Sequence, residues 1–255
     1  GAWQLHGAFH KKLRKDRKMR EDGGVAQQQN RKSAEEQARR AAQTGDRCME
    51  LMAEGIRYAS KDDRRRAAKA FREAIALRPD EPAAYYNLGA TLINSGHHVE
   101  AAQRYLEAKA RFPVGSEEWV QATAGAFDLL RTKECADAAK PEWWNDEGLK
   151  ALSARVVRAA PNETIAIQMR AFVLSGGGGA WKRGPRSAAE FKEAAAHFDQ
   201  SSAMCDAPGA KAETAHFAGL CRSAAETLAE EELRECDICD RRDYMLRRGC
   251  PRCRD

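Results

Sequence analysis

The chain has 255 residues, 43% of them apolar, 32% charged and 7% aromatic, with 43 Lys and Arg against 38 Asp and Glu for a formal charge of +5. That length can bury a sizeable core as one elongated domain or two small ones, and alanine-rich segments with few β-branched runs argue against a sheet protein. No apolar run approaches the roughly 18–20 residues of a membrane helix, the opening GAWQLHGAF lacks the apolar centre of a secretory signal, and so mild a positive excess does not by itself imply nucleic acid.

Residues 1–32 read as a basic leader, partly disordered, because His10 to Arg20 is almost a continuous charge run, followed by Gly23-Gly24 and Gln27 to Asn30. An import signal or an arm touching acidic surfaces is the functional alternative. Ser33-Ala34-Glu35-Glu36 has capping-box spacing and predicts a short lead-in helix through Ala42, within a segment 33–47. Thr44-Gly45-Asp46 breaks it.

From there a pattern recurs. Leu51, Gly55, Tyr58, Ala67, Phe71, Ala74 and Pro79 are followed 34 residues later by Tyr85, Gly89, Leu92, Ala101, Tyr105, Ala108 and Pro113. A helix pair of that length cannot bury its apolar face alone, so a fixed offset means stacked units. The spacing predicts helices 47–60 and 64–78 around a turn at 61–63, then 82–95 and 98–112 around Ser95-Gly96-His97. A mid-helix glycine costs roughly 1 kcal/mol against alanine, tolerable at Gly55 and Gly89 if a second helix must approach closely. Phe71 and Tyr105 fill the space left by the small residues, and Pro79 and Pro113 stop the second helix of each pair.

These residues resemble the tetratricopeptide repeat, with adjacent units at 48–81 and 82–115. The resemblance implies an all-α, right-handed α-α superhelix whose concave face binds a peptide or helix of another protein. First helices line that face, so the implied contacts are Met52, Ile56, Tyr86, Asn87, Thr91 and Gln121. Some members of the family grip a C-terminal carboxylate with a clamp of Lys, Asn and Arg. Here Asn87 matches, but Met52, Ile56, Glu117 and Gln121 occupy the other places, and Glu117 would repel a carboxylate.

A third unit begins on schedule, Trp119 standing 34 residues after Tyr85, with Thr123 in the glycine's place. Thr132–Trp144, with Pro141, postpones its second helix to 146–160. A fourth unit pairs helix 163–174 with helix 187–204 across a long loop. Residues 116–208 therefore read as two degenerate units with insertions. Trp143 and Trp144 are either a lid on the stack or an exposed partner hot spot. Gly176 to Gly179 lacks the Gly-Lys-Ser/Thr of a phosphate loop and reads as a flexible connection. Helix 211–233, within 209–233, places Phe217, Leu220, Ala224 and Leu228 on one stripe and caps the stack.

Residues 234–255 hold Cys236-x2-Cys239-x10-Cys250-x2-Cys253. Paired cysteines at this spacing bring four sulfurs to one tetrahedral ion, so the segment is a small four-cysteine module with structural Zn2+ and no open coordination place for catalysis. Two disulfides or a redox pair are the alternatives. Cys250-Pro251-Arg252-Cys253 resembles the knuckle of zinc ribbons, and the block resembles half of a RING-type ligase finger without its remaining ligands. Cys48, Cys135, Cys205 and Cys221 are scattered singly, which favours a reducing compartment, cytoplasmic or nuclear. Arg241, Arg242, Arg247, Arg248, Arg252 and Arg254 around Tyr244 keep a nucleic-acid partner in view. The six histidines form no ligand set, and no nucleophile stands with a base. The sequence reads as a non-catalytic adaptor; a nucleic-acid-associated protein and a fragment of a RING-type adaptor are the alternatives.

Overall fold

The computed structural model describes residues 45–177 and 181–242, with side chains to Glu231. The leader, the lead-in helix and the stretch from residue 243 onward lie outside these residues. Among the described residues there are nine α-helices and no strand. They are α1 (Arg47–Ser60), α2 (Arg64–Leu77), α3 (Pro82–Asn94), α4 (His98–Arg111), α5 (Glu117–Leu130), α6 (Asp146–Ala159), α7 (Thr164–Ser175), α8 (Ala188–Met204) and α9 (Pro208–Arg242), with one 3-10 turn at Lys133–Cys135.

Most starts are written in the sequence as side-chain acceptors for the orphan amides of a first turn. Asp46 accepts from Cys48 N and Met49 N, Asp63 from Arg66 N, Ser116 from Trp119 N and Asn145 from Gly148 N. Glu81 caps α3 with Pro82 at its first position, and Ser187 with Glu190 completes a capping box on α8. The two hairpin turns share one geometry. Gly96 has φ 81 between α3 and α4, and Asp62, 34 residues earlier, has φ 59 between α1 and α2. The left-handed conformation is free for glycine and costs an aspartate free energy.

The repeat residues behave as their sizes require. Ala67, Ala74, Ala101 and Ala108 are fully buried, and Phe71 and Tyr105 nearly so. A Cβ on Gly55 would stand 2.5 Å from the Phe71 ring. One on Gly89 would meet the Tyr105 ring and the Ala101 carbonyl at 3.3 Å. The third unit keeps this arrangement at a place the fixed offset does not give: Gly125, on α5, lies 3.3 Å (as a Cβ) from the other edge of Tyr105. Thr123, at the expected glycine position, is instead fully buried. Neighbouring helices from α1 to α5 pack on one another in order.

The regular order then changes. α5 shares a larger interface with α7 than with α6, because the segment 131–145 occupies part of the space a second helix would fill. Lys140 holds that segment by donating to the carbonyls of Leu130 (2.8 Å) and Cys135 (2.7 Å). Trp144 is 8% exposed, its ring 5.8 Å from Phe127 and 5.9 Å from Trp181 of the α7–α8 connection. A single apolar cluster runs from Cys48 to Cys221. α9 packs along α8 through Ala210, Thr214, Ala218, Cys221 and Ala225, all buried. It begins three residues before the expected start and continues to Arg242, nine residues beyond the expected end.

Candidate functional site

The six contacts implied by the repeat resemblance lie on α1, α3 and α5, and their surroundings differ. Met52 is 7% exposed and Thr91 5% exposed; both are core. The Thr91 hydroxyl donates to the Asn87 carbonyl at 2.8 Å, the usual retreat of a mid-helix threonine. Ile56 is half-buried against the core. Asn87 is half-buried on α3.

Tyr86 and Gln121 are brought together. The Tyr86 ring lies 5.2 Å from Tyr105 and 6.5 Å from Phe112. Its hydroxyl donates to Gln121 Oε1 at 3.3 Å. Gln121 Nε2 in turn donates to Glu117 Oε1 at 3.1 Å. A half-exposed polar chain thus joins α3 to α5 over an aromatic floor, a surface that offers donors, acceptors and ring faces to a peptide. Ile56, Tyr86, Asn87 and Gln121 remain as accessible members of the expected set. Trp143 and Trp144 are packed 5.8 Å apart; Trp144 is in the core, as the lid reading expects, and Trp143 is half-buried.

The most strongly polarised group was not marked by the sequence. Asp146, the first residue of α6, accepts two bonds from Arg186, Nη1 to Oδ2 at 2.7 Å and Nη2 to Oδ1 at 2.6 Å. It also accepts from the Trp181 indole N–H at 3.3 Å and lies 3.3 Å from Lys150 Nζ. Arg186 further donates to the Val173 carbonyl at 3.0 Å, and Arg183 bonds the Gly176 carbonyl. The Arg186 bonds, opposed by burial and helped by Trp181 and Lys150, hold the Asp146 carboxyl well below the usual carboxylate range. This knot fastens the α7–α8 connection to the start of α6. Spacing could not reveal it, since its partners are 40 residues apart.

Among the described residues, no group of three or more His, Cys, Asp or Glu side chains is arranged to hold a metal. Cys236 and Cys239 fall on the backbone of α9, one turn apart; Cys250 and Cys253 lie outside the described residues. Cys48, Cys135, Cys205 and Cys221 are all buried. Burial pushes the Cys221 thiol up to about 11, far from a reactive thiolate. No helix among the described residues is long and apolar enough to cross a membrane.

Residues 58–124 match the family model of the tetratricopeptide repeat. The match runs from Tyr58 of α1 to Ala124 of α5, across the segment in which the helices pack in regular order. With the all-helical fold of the described residues, it supports tetratricopeptide repeats over this segment. A comparison with curated proteins gives no match.

Proposed function

We propose that the chain is a non-catalytic adaptor that holds a peptide or helix of a partner protein against the first helices α1, α3 and α5. Tetratricopeptide repeats generally mediate protein–protein interaction, and the match over 58–124 is the observation that carries this reading. The stack is taken as a right-handed superhelix, with α1, α3 and α5 on its concave side. Ile56, Tyr86, Asn87 and Gln121 are the contacts, the Tyr86–Gln121 bond being exchangeable for bonds to a partner's backbone. Photo-crosslinkers placed at Ile56 and Tyr86, and as controls at Arg65 on α2 and Gln103 on α4, test it in a pull-down. Crosslinks confined to the controls would overturn the assignment.

The four terminal cysteines are proposed to bind one structural Zn2+. The donor set is chemically suited to it, four thiols making a closed tetrahedral site. Metal content by mass should be close to one zinc per chain. It should fall to none when Cys250 and Cys253 are both replaced by serine.

A further inference from the structure

Two cations on different helices converge on one buried indole without a counter-ion. Lys109 of α4 places Nζ 5.8 Å from the Trp119 ring and 5.3 Å from the Trp143 ring. Arg155 of α6 places its guanidinium 5.6 Å from the same Trp119 ring. Trp119 is 2% exposed, Lys109 and Trp143 are half-buried, and Arg155 is exposed. Among the described residues, neither cation makes an ion pair with a carboxylate. The nearest acid on Lys109's own helix, Glu107, is taken by Arg104 at 2.7 Å, and Glu117 accepts from Gln121.

Ring faces attract cations, so each contact alone is an ordinary one. Together they are not, because the indole they share draws like charges together in a partly desolvated place. Burial, and then Arg155, make Lys109 easier to deprotonate. An anion close to both would offset that repulsion.

We propose that Lys109 and Arg155 form a receptor for a carboxylate side chain of an acidic peptide segment of a partner, with the half-buried Trp143 receiving an apolar neighbour of that side chain. This goes beyond the surface on α1, α3 and α5. It rests on the reading of the chain as an interaction protein, but uses none of the residues assigned there. The clamp places on the first helices, where Glu117 stands, are also not involved. Nucleic acid fits less well, because binding to it rests on many phosphate contacts. Here, among the described residues, only two cations meet on the Trp119 ring.

The test uses the full chain and an N-acetylated, C-amidated peptide of alternating Glu and Leu, with its Gln-Leu counterpart, inorganic phosphate and poly-uridine RNA as comparisons. Titration at low salt is followed by calorimetry. The Glu peptide should bind and the Gln peptide should not. Lys109→Met and Arg155→Met should each weaken binding about tenfold, both together should abolish it, and Lys109→Arg should retain it. Far-UV circular dichroism confirms that each variant is folded. Equal binding by the Gln peptide, unchanged affinity in the folded double variant, no binding at all, or tighter binding of the RNA or phosphate would each overturn the proposal. The Tyr86 crosslinks should survive in the double variant, so failure here is separable from failure of the first-helix assignment.

Discussion

Replacing Asp146 by asparagine should uncouple the α7–α8 connection from α6. Asp146 is 16% exposed and Arg186 6% exposed at their side chains, and two short charge-assisted bonds join them. Charges about 4 Å apart attract by about 4 kcal/mol at an effective dielectric of about 20. Much of that offsets desolvation. Deleting one partner, however, strands the other in a buried place and costs about 3–5 kcal/mol. Asparagine keeps the shape and an acceptor for Trp181, so the lower end, about 3 kcal/mol, is expected. Urea unfolding of Asp146→Asn, Arg186→Met and the double variant should show single losses of that size and a double loss smaller than their sum, with coupling above about 1.5 kcal/mol. The pH dependence follows from the lowered carboxyl. A group depressed on folding contributes stability that is complete above its unfolded value near 3.9 and is lost as pH falls. The parent should therefore lose stability below about pH 5, and Asp146→Asn should show a flatter acid limb. Additive losses, or single variants within about 0.5 kcal/mol of the parent, would refute the argument.

Other substitutions probe the repeat. Gly55→Ala should destabilise by about 1–3 kcal/mol despite better helix propensity, because its Cβ would stand 2.5 Å from the Phe71 ring. Gly219→Ala, with open space at its Cβ, should gain up to about 1 kcal/mol; thermal unfolding of the two should move Tm in opposite directions. Thr123 is fully buried and its hydroxyl has no partner among the described residues, so Thr123→Val should stabilise by about 1 kcal/mol, read as a Tm rise of about 2–4 °C. Asp62→Gly should relieve the left-handed strain at φ 59 and raise stability by about 0.5–1 kcal/mol, net of its exposed pair with Arg64; a loss measured by urea unfolding would show that the pair outweighs the strain.

The sequence by itself determined the hairpins. The 34-residue offset places α1 to α4 within one residue, because small-for-large exchanges between neighbouring helices are local and repeat with the unit. It also marked Trp143 and Trp144 as a choice between lid and hot spot without deciding it, since burial depends on what lies above a residue. Part of the expected docking set was decided in the same way. The repeat resemblance puts Thr91 on the docking face, yet three-dimensional packing turns it inward and leaves Tyr86 and Gln121 to meet across α3 and α5.

In the second half of the chain the sequence still placed α6, α7 and α8 within one residue, but only tertiary structure decided how they pack. There the offset fails, and Gly125 replaces Thr123 as the small residue against Tyr105. The insertion's tryptophan and Lys140 take space that a regular helix would have filled. Asp146 pairs with Arg186, 40 positions away, and Lys109 and Arg155, 46 positions apart, share the Trp119 ring. Periodicity carries information only while each unit meets a copy of itself. Where units differ, contacts are set by how the chain fills the remaining volume and neutralises the charges it has enclosed, and that is a property of the folded whole.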